Sequence, residues 1–264
     1  MPRSVNSRMF PAGQRGFSMV ELAIAILIAL FLLAGLVTLV MGTRRTNATQ
    51  SALAQLQDNQ RTAMTLIANV VQKAGYFPDP VTQQLSSFSA ETIATLAVPG
   101  GQVLDGTYNA AAPGDTLVAR FFAPPNDTSH VVIDCAGQSN VGGPVGVWYT
   151  NMFAVANVNG TWWLQCQSQT SGVAGPLVNL IPNVTNMSVL YGVAASTAGD
   201  DYSVVQYLNA TQVAATNNWT NVTAVKVTLT FLVPSYGSTG GQMTTNTQTF
   251  QRVIPVMSRV GVDT

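Results

Sequence analysis

Charge is what this sequence lacks most. Only 8% of its 264 residues are charged, 11 basic and 11 acidic, against roughly 25% in ordinary globular domains. The polar surface must therefore come from Asn, Thr, Ser and Gln. Nucleic-acid capture needs clustered cations, and behind the apolar segment only Arg44-Arg45 are adjacent, so no direct nucleic-acid binding is expected. Histidine occurs once, at His130, and HExxH, GxSxG and a Gly-rich phosphate loop are all missing. Zinc chemistry, nucleophilic catalysis and nucleotide binding have no motif to rest on, and the expectation is a non-enzyme without metal or cofactor. Asp200-Asp201 reads as a turn, because a cation site needs several oxygens at set spacing. The Asn-x-Ser/Thr triplets at Asn126, Asn159, Asn209 and Asn221 read as accidents of a Thr/Asn-rich composition.

What the sequence has in one place is hydrophobicity. From Met19 to Gly42 only Glu21 and Thr38 interrupt the apolar run. As a helix it spans about 36 Å, enough to cross a bilayer. Arg3, Arg8 and Arg15 precede it without an acid, which sets the N-terminus in the cytoplasm, although Arg44 and Arg45 on the far side pull the other way. A secretory signal ends in small residues after its apolar core. Here the plausible scissile bond, Gly16-Phe17, lies before the core, so cutting would remove the basic leader and keep the anchor. A carboxylate in hydrocarbon costs about 2.5–3.5 kcal/mol on insertion scales, so Glu21 needs a partner. The α-amine freed at Phe17 is one, four residues away on the same helix face, in the same chain or a neighbour. The plain alternatives are a Ser18-x-x-Glu21 capping box on an ordinary membrane helix, or an uncleaved anchor.

The stretch Arg15-Gly16-Phe17-Ser18-Met19-Val20-Glu21-Leu22 resembles the class III leader of type IV pilins and pseudopilins. The resemblance implies cleavage after Gly16 by prepilin peptidase, N-methylation of Phe17, and packing of the helix into a filament core. The proline that many major pilins carry at the position of Thr38 is absent, leaving Gly35 and Gly42 as the weak points of the helix. Loss of three of the 11 basic residues would leave three more acids than bases.

Helical periodicity continues beyond the anchor. Leu53, Leu56, Ala63, Ile67, Val70 and Ala74 form an apolar stripe, which Met64 and Val71 widen and Gln60 interrupts. Gly75 reads as the terminator, with Pro78 and Pro80 behind it. A helix from Phe17 to Ala74 would be about 87 Å long. Further on the period drops to two. Strands are predicted over Asp115–Phe122, His130–Ala136, Met152–Val158, Thr161–Gln167, Asn186–Val193, Val225–Val233 and Thr249–Val256. Asn159-Gly160 is a hairpin turn between two of them, and Pro255 marks an edge or a strand end. Tyr207–Asn217 suggests a short helix, Ser235–Asn246 a loop, and Trp162-Trp163 one ring on each sheet face. Strands in hairpin order predict an antiparallel sheet laid over the helix, an α+β head of roughly 190 residues. Cys135 and Cys166 are the two cysteines. An exported head meets an oxidising compartment, which favours a bridge over two buried thiols. Closing about 32 residues stabilises by about 3–4 kcal/mol in the chain-entropy account.

Ala74-Gly75-Tyr76-Phe77, Gly114-Asp115-Thr116-Leu117, Asp134-Cys135, Asn186-Met187-Ser188-Val189-Leu190-Tyr191-Gly192-Val193 and Ala224-Val225-Lys226-Val227 together resemble the PilW family of minor pilins. The type IV pilin fold is then expected. The segments would be a cleaved leader at 1–16, a stalk helix at 17–75 with its membrane part at about 19–42, and a β-rich head at 76–264. The implied role is a structural subunit that helps start the pilus and forms part of its tip. Its implied partners are prepilin peptidase, other minor pilins, the major pilin and a tip adhesin. It would stand in the inner membrane with a periplasmic head before assembly, and in the extracellular pilus afterwards. The rivals are the equivalent pseudopilin of type II secretion and a membrane-anchored periplasmic binding domain that never assembles.

The leader reading has a direct check. Mass analysis of the membrane-extracted protein is expected to show a chain starting at methylated Phe17, and Gly16→Leu to block cutting. A wild-type N-terminus at Met1 in cells with active prepilin peptidase refutes it.

Overall fold

The structure, a computed structural model, describes residues 16–78, 85–123, 131–140, 146–195, 202–236 and 243–259. His130, Asn126 and Asp200-Asp201 lie outside the described residues. The chain divides into two compact units, Met1–Gln50 and Ser51–Thr264.

The described part of the first unit is the N-terminal part of α1, which as a whole runs Met19–Gln72. The Leu22 amide donates to the Ser18 carbonyl at 3.1 Å, so Ser18 stands at the helix start. The helix continues through Gly35, Thr38 and Gly42. Thr38 Oγ1 donates to the Gly35 carbonyl at 2.7 Å, and Thr43 Oγ1 to that of Leu39 at 3.0 Å. Hydroxyls in an apolar stretch are thus satisfied inside the helix rather than by water.

In the second unit α1 buries Leu56, Ala63, Met64, Ile67, Ala68, Val70 and Val71. The predicted stripe holds except at Leu53, which is exposed. Three details end the helix. Gly75 takes φ +76°, its amide donates to the Arg120 carbonyl at 2.8 Å, and Ser258 Oγ donates to the orphan Ala74 carbonyl at 2.6 Å. A Cβ at Gly75 would displace the Ser258 hydroxyl, 2.6 Å away, and the positive φ is what requires glycine.

Two antiparallel sheets carry the head. The first has the order β3-β4-β5-β6-β7: Leu104–Thr107, Thr116–Phe122, Trp148–Val158, Thr161–Thr170 and Val173–Pro182. The second has the order β11-β10-β8-β9: Met243–Pro255, Val222–Tyr236, Val184–Ala194 and Val204–Leu208. One continuous core joins the last turns of α1 to the inner faces of both sheets. Val225, Val227, Leu229, Phe231 and Val233 are all buried, as their alternation predicts. The Asn159-Gly160 hairpin forms with both residues at positive φ. Trp162 packs on the core and Trp163 is half-buried on the other face. Helix α2 is Ala210–Ala215; Asn209 Oδ1 accepts from the Gln212 amide at 2.9 Å and Gln212 Oε1 from the Asn209 amide at 3.0 Å, a reciprocal capping box.

The predicted strand at His130–Ala136 is not formed. Among its described residues, Asp134 Oδ1 accepts from the amides of Ala136 and Gln138 at 2.9 and 2.8 Å. A side chain that captures two amides diverts them from a ladder, and only an isolated bridge between Ile133 and Ser139 remains. The loop predicted at Ser235–Asn246 is shorter, since β10 and β11 pair as far as Tyr236 and Met243. Cys135 and Cys166 are joined in a disulfide with Cα atoms 6.0 Å apart, which ties this turn to β6.

Two polar contacts lock the sheets and their covering. The carboxylate of buried Asp115 accepts from the Asn109 amide at 2.8 Å and from the Val189 amide at 2.7 Å. It thereby links the segment before β4 to β8 in the other sheet. Gly114, at φ +93°, lies so close to β8 that a Cβ would overlap the Met187 carbonyl oxygen. On the outer face of the first sheet lies a small hairpin, β1 (Glu91–Ile93) and β2 (Leu96–Val98). Its Ile93 and Val98 pack on Val118 and Met152. Arg120, fully buried in β4, pins it there. Its Nε lies 3.1 Å from Glu91 Oε1 and 3.2 Å from Thr150 Oγ1. Its other nitrogens donate to the carbonyls of Ser89 at 2.6 Å, Gln102 at 3.2 Å and Pro99 at 3.3 Å. Thr150 also bonds Glu91. Burial lowers the Arg120 pKa and Glu91 opposes that shift.

Removing one member of a buried ion pair strands the other. Arg120→Met is expected to lower head stability by about 3–5 kcal/mol in urea denaturation, and Glu91→Gln added to it to recover part of the loss. No recovery in the double variant would show that the pair is not what holds the hairpin.

Candidate assembly site

The leader residues place the first part of the site. Gly16 and Phe17 precede α1, and Glu21 lies in its first turn. Phe17 is 82% exposed, and every residue from there to Arg45 is exposed. The most apolar window of α1 has a mean hydropathy of 3.0 and none of it is buried. A surface this apolar, more than 20 residues long in sequence, requires lipid or another apolar helix around it. Within it Phe17 and Glu21 are one turn apart, so an amine created at Phe17 and the Glu21 carboxylate would share a face. Cys135 and Cys166 belong to the other compact unit and have a structural role there.

The described residues of the head form several surfaces. A groove of about 470 Å³ runs between the β2–β3 region and α2, lined among others by Leu96, Asp105, Tyr108, Ala214 and Trp219. Trp219 stacks edge-on with buried Tyr191, ring centroids 4.8 Å apart, and Tyr191 Oη donates to the Asp105 carbonyl at 3.0 Å. Among the described residues no three His, Cys, Asp or Glu side chains gather to hold a metal ion.

Two comparisons with known families match. A model described as the prokaryotic N-terminal methylation motif covers residues 11–37. A model described as type IV pilus-assembly protein W, PilW, covers residues 152–256. The chain is similar to the PilW family over this stretch, and the two matches support a PilW-family pilin. It is a type IV pilus-related pilin with the α+β architecture of that fold. The PilW match begins within β5 and runs through β11, so it takes in the disulfide's Cys166, the β8 motif and the whole second sheet. The methylation match brackets Gly16, Phe17 and Glu21. No curated protein and no solved structure matches the chain.

The sequence reading missed Arg120, Glu91 and Asp105. Arg120 had a signal: it is the one cation within the apolar run Leu117–Phe122, and a cation in a buried strand must have a partner. Which carboxylate supplies it cannot be read from sequence, because Glu91 lies 29 positions away with no spacing rule between them.

Asp105 carries a pH signature. Burial raises its pKa from 3.8 to about 6, against the opposing effects of the Gly106 amide and Arg120. A carboxyl raised in the fold favours the native state while protonated. This contribution is full below about pH 4 and is lost as pH rises through about 6. Asp105→Asn is expected to match wild type at pH 4 and to exceed it by up to about 2 kcal/mol at pH 7. Parallel stability–pH curves for the two proteins would contradict the assignment.

Proposed function

We propose that this PilW-family pilin is a minor type IV pilin, a structural subunit that helps initiate the pilus and forms part of its tip complex. The observation that carries the reading is an apolar helix left entirely bare in its first half, opening on Phe17 and Glu21 inside a methylation motif. In this reading residues 1–16 are the leader, 17–75 the stalk and 76–264 the head. Prepilin peptidase cuts at Gly16-Phe17 and the new amine of Phe17 is methylated. The stalk waits in the inner membrane and then moves into a stack of like stalks, which heterologous head-to-tail contacts extend without closure. Other minor pilins, the major pilin and a tip adhesin are its neighbours. The match to a pilus-assembly model, rather than to a secretion pseudopilin, supports the pilus as its machine.

Glu21 gives this transfer a direction. Its carboxylate is costly in lipid, and in the filament it can neutralise the Phe17 amine of the subunit above. Desolvation offsets much of that attraction, so the bias toward the filament is the difference between two large terms. A subunit with nothing above it has no use for the pair, so the presence of Glu21 favours a position just below the apex. Glu21→Ala is expected to be cleaved and inserted normally, yet to be depleted from sheared pili, with fewer pili per cell. Normal incorporation and normal pilus number in that variant would rule out the charge pair as the driver.

A further inference from the structure

Each of the two large sheets has two edges, and among the described residues three of these four are short or broken. β3 is 4 residues long and β9 is 5. β7 contains Pro176 and Pro182, and its register against β6 shifts twice. Short strands, prolines and bulges are how sheets protect their edges. β11 has none of these. It is 13 residues long and free of proline before its last residue. Its register with β10 is unbroken from Ala224 opposite Pro255 to Tyr236 opposite Met243. Among the described residues no strand pairs with its other side.

The open main-chain groups can be assigned. In an antiparallel strand a residue's N–H and C=O point to the same neighbour, and the direction alternates along the chain. The Leu232 amide donates to Asn183 at 2.8 Å, and the Thr230 carbonyl accepts from Thr185 Oγ1 at 3.2 Å. These even-numbered residues of β10 therefore face β8, and Leu229, Phe231 and Val233 face β11. Their partners are Phe250, Gln248 and Asn246. The Val256 amide, which donates to the Thr223 carbonyl at 2.9 Å, keeps the same parity. The main-chain groups of Thr245, Thr247, Thr249, Gln251 and Val253 consequently point outward, over about 27 Å of edge. Thr247, Thr249 and Gln251 are exposed and uncharged, and exposed Arg252 is the one charged residue of the strand.

We propose that the outer edge of β11 receives an extended strand from a different pilus subunit, which continues the four-stranded sheet. A row of alternating N–H and C=O groups is complemented fully only by another extended main chain. A second copy of this chain could offer only its own β11, since its other edges are short or broken. Like edges pair about a two-fold axis, and a two-fold contact closes on itself and cannot build a stack of parallel stalks. The choice of a different subunit rests on the minor-pilin reading above.

The test separates main-chain pairing from side-chain contact. Thr247→Pro and Thr249→Pro, made separately, each remove one outward N–H and put a ring in the path of the added strand, while leaving the bonds to β10 in place. Thr247→Ala and Thr249→Ala keep the amides. All four full-length chains are expressed in the native host, and their copy number in sheared pili is measured beside protease resistance of the detergent-extracted protein. The expected result is a resistant fold throughout, alanine variants at wild-type level, and proline variants reduced by about tenfold or more. Proline variants incorporated like wild type overturn the strand pairing, and equal loss in the alanine variants moves the contact to side chains and overturns it as well. A wild-type homodimer in detergent that Thr249→Pro abolishes makes a second copy the occupant and overturns the hetero-pairing. Wild type missing from the pili overturns the pilin reading itself, an outcome separate from all of these.

Discussion

The constraint on which the rest of this molecule depends is that one helix must live in two solvents. α1 presents a run from Met19 to Gly42 that is apolar but for Glu21 and Thr38, and an amphipathic stripe from Leu56 to Val71. An all-round apolar helix is stable only in lipid or among other helices, whereas a striped one needs a single protein face. The first half is therefore left bare by its own chain and the second half is sunk into the head's core. Threonines in the first half turn their hydroxyls onto carbonyls of the preceding turn, which lets the same helix be solvated by lipid and later by neighbours without an unsatisfied donor.

The head meets this helix with few charges, and the buried ones are held by geometry. Arg120 is ion-paired to Glu91, bonded to three carbonyls and stacked over the Phe88 ring at 4.9 Å. The same residue's carbonyl receives the Gly75 amide that ends α1. One position in β4 thus fixes both the hairpin on the outer face and the helix terminus on the inner one. Asp115 does the corresponding work between the sheets, where its carboxylate takes the Val189 amide beside a short main-chain bridge from Gly114 to Met187. A chain with so little charge gains long-range order from such contacts because each is desolvated, and a desolvated charge tolerates few alternative geometries.

The scarcity of charge also shapes the exterior. Edge lysines and acids, which sheets commonly use against unwanted pairing, are sparse here. Protection falls to prolines in β7 and to brevity in β3 and β9, and β11 is left regular and open. A surface of Thr, Asn and Gln is compatible with solubility and with main-chain pairing alike, which suits a subunit read as passing from a membrane to an assembly.

What the sequence by itself determined is everything periodic or local. The α1 run and stripe, the Gly75 stop, the Asn159-Gly160 turn, the buried face of β10 and the strands at β4, β5, β6 and β8 all follow from side-chain spacing against a backbone period. The Gly16-Phe17-Glu21 pattern is legible for the same reason, since its residues are neighbours along the chain. Only the tertiary structure decided the non-local matters: the division of the strands into two sheets, the Arg120–Glu91 pair across the covering hairpin, the Asp115 contact to β8, and which edge stays open. β7 escaped notice because its prolines and exposed apolar residues do not alternate, and an edge strand is held by one neighbour's main chain rather than by its own pattern. The strand expected around Cys135 failed because the side-chain oxygens of Asn151 and Asp134 took the Cys135 and Ala136 amides. Periodicity reports which face of an element is apolar. Which surface that face meets, and which charge a buried charge meets, is set by chain closure over tens of residues, where spacing carries no information.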